Sequence, residues 1–349
     1  MKIKILSLLM VVVLASGLFA GCGQQAGISG SSAADTAAQS AAVSTTAAPD
    51  AAADNSGIDS KAVRYPLTLK DASGTSVTIA AKPVKIAAFP LGVCEMLISL
   101  ADKSQIAAMT YFAEDQGVSN IIDAARGVGQ RMDFNAEKIL ALQPDLVLVD
   151  AWSDANIIKQ LRDSNINVFV LITPSNIDQE KEMLKLLGDV TGNAGKAEEL
   201  ITWMDQKLTA VSDRLSGLKE EEKLSIIDYS EMGSTSGKDT NFDDIVTRAG
   251  LTNPVAKEGL TGWPQLSKEM IVKYNPDIIS VPSWFYDTSQ ATPESLTKSI
   301  REDKSLAGVG AVKNNKIISV PYNHLSATSH YSVLAVEDMA KAAYPDLFK

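Results

Sequence analysis

The residues Phe134–Val149, FNAEKILALQPDLVLV, recur further along the chain as Leu266–Val281, LSKEMIVKYNPDIISV. Laid over each other without a gap, the two segments keep Glu137/Glu269, Ile139/Ile271, Pro144/Pro276, Asp145/Asp277 and Val149/Val281, each pair 132 apart (269 − 137 = 132). Asn135 and Ser267 can each cap a helix by accepting a backbone N–H bond, and the Glu two positions later complements the positive end of the helix dipole. Pro144 and Pro276 end that helix, and an apolar run of strand length follows. One unit of helix, Pro-Asp turn and buried strand therefore occurs once in each half, which commits the chain to two lobes built around its two copies.

The length of 349 residues agrees, since it exceeds the usual size of a single domain. With 45% hydrophobic residues there is material for sizeable cores, and a net charge of −10 argues against nucleic acid as a partner. Cys22 and Cys94 are the two cysteines, His324 and His330 the two histidines, so neither a disulfide framework nor a multi-histidine metal cage is expected.

At the N-terminus Lys2 and Lys4 precede an uncharged run from Ile5 to Phe19, a basic region followed by an apolar one, as in an export signal. Leu18-Phe19-Ala20-Gly21-Cys22 resembles the lipobox of bacterial lipoproteins, with Phe19 where Leu is usual. The resemblance implies a signal peptide over 1–22 and a mature chain that starts at a lipidated Cys22, anchored to the cell membrane on its outer side, the lipid being the one covalent addition expected. An ordinary secretory peptide or a retained membrane helix is the alternative. Residues 23–60 are Ala, Ser, Thr, Gly, Gln and Asp with almost no large apolar side chain, too little to offset the entropy of ordering, and read as a tether.

Folded structure is expected from residue 61. YPLTLKDASGTSVTI reads as a hairpin, followed by strands over 84–89, 105–110, 146–149 and 167–171 with helices over 93–100 and 156–163 between them. This alternation predicts a mainly parallel α/β lobe over 61–172. Residues 173–218 lack strand signal, and Lys196–Leu215 can form a single helix of roughly 30 Å at 1.5 Å per residue, a connector that would keep lobe closure small. The second lobe, 219–349, repeats the alternation: strand 224–228, a Gly- and Ser-rich loop over 230–238, helix 243–249 capped by Gly250, the second repeat, a loop over 282–292, strand 316–320 and helix 333–343. The expected fold is α/β: two lobes with mainly parallel central sheets joined by one long helix, with a ligand cleft between them.

In open α/β sheets ligands sit beyond the carboxyl ends of the strands. The residues that follow the predicted strands are Phe89, Tyr111 and Trp152 in the first lobe, and Tyr229, Lys238, Trp284, Tyr286, Tyr322 and His324 in the second. Aromatics are 6% of the chain, so their grouping at strand ends points to a cleft, although any single one has an equal claim as a core or edge residue. Basic residues are scarce there apart from Lys238, so a strongly anionic ligand is not indicated. Catalytic signatures fail: Gly233-Ser234-Thr235-Ser236-Gly237 has Thr at the centre of a would-be nucleophile elbow and lacks the P-loop glycine spacing before Lys238. Cys94 sits in an apolar run as a small hydrophobe. No enzyme is expected. Glu137 and Glu269 remain: a Glu in a helix's first turn is ordinarily dipole compensation, but two at equivalent places suggest matched acidic knobs, suited to basic sockets.

GTSVTIAAKPVKIAAF followed by a helix containing Glu95, then Gly127-Val128-Gly129, the two repeats, FDDIVTRAGLTNPV, LAGVGAVKNNKIISVP and a closing Tyr344-Pro345 resemble, in this order, the ferric-siderophore, heme and cobalamin binding proteins of bacterial ABC importers. The resemblance runs from about Val63 to the C-terminus. It implies two lobes on one long helix, a small-molecule ligand of the metal-chelate or tetrapyrrole type between them, and docking of Glu137 and Glu269 onto arginines of a membrane permease that works with its ATPase. A monomer is expected. The alternative is a sensory lipoprotein or degenerate enzyme on the same fold.

Overall fold

A computed structural model of the protein describes residues 64–289 and 291–349. The expectations for 1–22 and 23–60, lipidation of Cys22 among them, lie outside the described residues. An antiparallel hairpin comes first, β1 (Leu67–Lys70) with β2 (Ser76–Ile79). The first lobe follows as β3 (Ile86–Ala88), α1 (Leu91–Leu100), β4 (Ile106–Thr110), α2 (Ile122–Ala125), β5 (Gln130–Met132), α3 (Ala136–Leu142), β6 (Leu146–Asp150), α4 (Ala155–Asp163) and β7 (Val168–Leu171). Its five strands are parallel in the order β5-β4-β3-β6-β7. Helices α5 (Ile177–Thr191) and α6 (Ala194–Leu215) lead out of it, broken where Gly192 takes a left-handed φ of +71°. The second lobe comprises β8 (Ile226–Asp228), α7 (Asn241–Arg248), α8 (Pro254–Lys257), α9 (Lys268–Tyr274), β9 (Ile278–Ser280), α10 (Pro293–Glu302), α11 (Gly310–Lys313), β10 (Ile317–Ile318), α12 (Tyr322–Leu325) and α13 (Ser332–Ala343), with a parallel sheet ordered β10-β9-β8. No described helix is long and apolar enough to cross a membrane.

The repeat is realised atom for atom in its essentials. Asn135 Oδ1 accepts the Lys138 amide and Ser267 Oγ the Met270 amide, so each helix starts on a side-chain cap. Each ends one residue before its proline on a left-handed residue, Gln143 (φ 50°) and Asn275 (φ 42°). The aspartate after the proline then receives the amides that begin the neighbouring strand: Asp145 those of Val84 and Lys85, at 2.7–3.1 Å, and Asp277 that of Ser225, at 2.8 Å, together with the Ser225 hydroxyl.

Period-two alternation along the buried strands assigns their faces. Val147 and Val149 turn to an outer core with α3 and α4, and Ile279 to a second outer core with α9 and α10. Leu146, Leu148 and Ile278 turn the other way, into one apolar core that also takes in α1, α5, α6, α7 and α13 and so runs unbroken from lobe to lobe. The equivalent repeat positions Leu146 and Ile278 thus share that core. Residues 326–332, expected in the second lobe, also press on the first: a Cβ on Gly92 would lie 2.4 Å from Thr328 Oγ1, and Ser329 Oγ donates to the buried Glu95 of α1.

Candidate functional site

Because the sheets are parallel, the loops that leave the carboxyl ends of their strands gather at one end of each lobe. Thr110 closes β4, and its hydroxyl accepts the Phe112 amide, setting Tyr111 and Phe112 on a short turn. From there an unbroken series of ring contacts crosses to the second lobe: Tyr111 to Phe112 at 4.3 Å, Phe112 to Tyr286 at 6.2 Å, Tyr286 to Trp284 at 6.2 Å, and Trp284 stacked on Tyr322 at 6.0 Å. Trp284 lies flat on Gly117 of the first lobe, where a Cβ would stand 2.1 Å from the indole. Only glycine permits that seat. The turn carrying it is held by Asp115 Oδ1, which accepts the Gly117 amide at 2.8 Å.

A polar seam runs beside the rings. Asn120 Nδ2 donates to the Asn323 carbonyl at 2.7 Å and Asn323 Nδ2 to Asn120 Oδ1 at 2.8 Å, joining the lobes reciprocally. Behind it, Glu95 of α1 is buried; its Oε1 accepts the amide and side chain of Asn120, and its Oε2 accepts the Ser329 hydroxyl. Burial pushes the Glu95 carboxyl up, against the Ser329 and Asn120 bonds that hold it down. At the far wall Asp228 clamps the Gly- and Ser-rich loop by accepting the Thr235 hydroxyl and both the amide and hydroxyl of Ser236, at 2.6–2.9 Å.

Of the residues singled out from sequence, Tyr111, Trp284, Tyr286 and Tyr322 are brought together in the ring series. Trp152 stands at the end of β6, 85% exposed, with its amide on Asp150 Oδ1. Tyr229 is partly buried against the outer core of the second lobe. His324 is tied through Nδ1 to Asp338 of α13 at 2.7 Å. Two sit elsewhere. Phe89 packs on Phe134 at 5.0 Å beside the α3 and α4 core, and Lys238 lines a surface depression with Glu220, Lys223, Asp243 and Lys257. Glu137 and Glu269 are exposed in the first turns of α3 and α9, and no ion pair links either to a described basic side chain; the adjacent Lys138 and Lys268 pair with Asp133 and Asp303 instead. Asn120 and Ser329, two bonded members of the seam, escaped sequence reasoning, although one acid, Glu95, in the otherwise uncharged helix LGVCEMLISL was a visible signal. The described residues hold no group of three or more His, Cys, Asp or Glu side chains able to bind a metal ion.

Two α/β lobes on a long helix, with facing loops at their strand ends, define a binding protein of the two-lobe periplasmic class. Residues 86–323 match the periplasmic binding protein family, and the chain belongs to it. An uncharacterized ABC transporter substrate-binding lipoprotein, YvrC, of Bacillus subtilis is 28% identical over 305 residues, covering 83% of this chain and 91% of its own. A cobalamin-binding protein of Halobacterium salinarum is 25% identical over 283 residues, covering 81% and 75%. In three dimensions, a possible iron-binding periplasmic solute-binding protein of Staphylococcus epidermidis superposes with a TM-score of 0.65 at 21% identity, covering 76% of this chain and 100% of that one. The chain is thus a substrate-binding protein of the ABC-transporter type, a family of binding proteins and not of enzymes.

Proposed function

We propose that the protein is an extracytoplasmic lipoprotein, anchored through Cys22, that captures an iron-siderophore-type chelate, heme or a corrinoid between its lobes and hands it to a membrane permease. The observation that carries this reading is the ring series from Tyr111 to Tyr322, because apolar walls with few polar groups suit a large, partly planar ligand. Trp152, Tyr229 and His324, which follow β6, β8 and β10 in the same way, are assigned to the same cleft in this reading. A ligand of that size needs a site of roughly 300–1,000 Å³, so its entry means parting the Trp284–Gly117 seat and the Asn120–Asn323 pair. Glu137 and Glu269, both exposed without a described ion-pair partner, suit the docking role, with the ATPase acting behind the permease. The protein works as a monomer in this scheme.

The test is a ligand panel read by thermal shift and tryptophan emission. A true ligand raises the melting temperature in a concentration-dependent way, since it binds the folded state alone, and alters emission through Trp284. No response to any ferric siderophore, heme or corrinoid well above micromolar concentration refutes the ligand class.

A further inference from the structure

We propose that this cleft accepts ligands without net negative charge, neutral or cationic chelates, and rejects anionic ones; the inference rests on the transport reading above and narrows its substrate class. The loops that leave the strand ends toward the ring series are 111–120, 150–154, 172–176, 229–237, 282–289 and 321–331; Lys238, next in the fourth, turns away into the depression with Glu220 and Lys257. The loop sequences contain Glu114, Asp115, Asp150, Asp154, Glu231 and Asp287 and not one Lys or Arg. The nearest guanidinium on the first lobe, Arg131 of β5, is committed: it pairs with Glu114 at 3.2 Å and donates to the carbonyls of Ala125 and Val128.

Anions are also recognised by free backbone amides at loop and helix starts. Here five such donors are taken. Asp115 accepts the Gly117 amide, Asp150 that of Trp152, Asp154 that of Asn156 at the start of α4, Asp228 that of Ser236, and Asp287 that of Ser289, all at 2.6–2.9 Å. Five amides in these loops and at the start of α4, places where an oxyanion could be cradled, are thus covered by carboxylates. The phenols at the two ends of the ring series register the same field: burial and then Tyr286 push Tyr111 up, with Asp133 and Asp115 adding to it, while burial and then Glu231 and Asp228 push Tyr322 up.

Magnitude decides that this matters. One like-charge pair about 8 Å apart weakens association roughly 2-fold at the dielectric of water and roughly 30-fold at a surface value near 20. A trianionic chelate facing several such acids multiplies that factor, whereas a neutral ligand held by ring contacts is indifferent to it.

The experiment titrates the full chain with probes of fixed charge: a neutral and a cationic ferric trihydroxamate, a neutral corrinoid, a trianionic ferric tris-catecholate, heme with its two propionates, and molybdate. At least one of the first three should bind at least about 30-fold more tightly than every anion. Asp287→Lys should strengthen anion binding and weaken cation binding 2- to 30-fold and leave the neutral ligand unchanged, while Glu221→Lys, placed ahead of β8 at the opposite end of its sheet, should change none of them. An anion that binds wild type as tightly as the neutral probes overturns the inference and leaves the transport reading standing; so does an Asp287→Lys variant with unaltered charge preference. Silence from every probe sinks the transport reading itself, and the inference with it.

Discussion

At the scale of single residues, the buried titratable groups behind the cleft set how the fold responds to pH. His330 lies between Trp203 and Tyr331, with Nε2 3.2 Å from Ser99 Oγ and no partner at Nδ1. Burial pushes its pKa down from 6.5 to about 4, so it is neutral in the fold while an unfolded chain would already protonate it. Its contribution is therefore complete above pH 6.5 and is lost as pH falls toward 4, a loss on the order of 3 kcal/mol. Glu180 slopes the other way: burial raises its carboxyl well above the ordinary value against the Ser332 bond, and Oε1 has no partner. A carboxyl raised in the fold stabilises fully below its unfolded value and loses that contribution as pH rises through the folded one. His330→Phe should accordingly flatten the melting temperature between pH 6.5 and 4, and Glu180→Gln should raise it at pH 8 but not at pH 4. Melting profiles of the two variants that run parallel to wild type across this range would refute both assignments.

At the scale of elements, the repeat makes a quantitative claim, because Asp145 and Asp277 do the same work at the start of the neighbouring strand in each lobe. Hydrogen bonds to a charged acceptor contribute about 1.5–3 kcal/mol when shielded from water; those of Asp277 are partly buried, whereas those of Asp145 lie exposed. Asp277→Ala should therefore cost about 2 kcal/mol and Asp145→Ala about 1 kcal/mol in urea unfolding, with the Asn variants losing less. A cost under about 0.5 kcal/mol at either site would mean that the pairing is incidental. The same repeat was legible in sequence because caps, prolines and apolar runs are local signals, and the parallel strands β3, β4, β6 and β7 announced themselves as short apolar runs between helices. Strand β5 did not: QRM is a three-residue edge strand with one buried side chain. Helix α10 hid for a related reason, since only Ile300 of its ten residues is buried. The strand-end rule grouped Tyr111, Trp284, Tyr286 and Tyr322, which the ring series joins, but could not assign a face. Phe89 lies two residues past Ala87, so alternation carries it to the same outer core. Lys238 is carried off by its pairing with Leu260, whose carbonyl accepts the Lys238 amide at 2.7 Å. The Asn120–Asn323 pair is 203 residues apart and leaves no local trace.

At the scale of the whole molecule, the decisive feature is that one apolar core serves both lobes. Leu148, Met204, Ile226 and Val336 belong to it together, so a wide hinge rotation would have to expose packed interior, whereas shifting the Trp284 loop and the asparagine pair disturbs ring and polar contacts at the cleft. A shared core also fixes the spacing of the two repeat helices. Each runs antiparallel to the strand it precedes, so Glu137 and Glu269, in their first turns, stand at the strand-end side of their lobes, over the outer cores and away from the shared one. On the docking role proposed above, two carboxylates held at a constant spacing would match two fixed basic sockets, and a chelate bound among the ring series need not touch either. Glu137→Arg combined with Glu269→Arg would set like charges against such sockets, at a cost on the order of several kcal/mol of association. Chelate Kd of the purified double variant should stay within about twofold of wild type, while uptake in cells that depend on this importer should fail, with each single variant intermediate. A large loss of Kd would move the glutamates into the binding site, and undiminished uptake would return them to the simpler duty of offsetting the dipoles of α3 and α9.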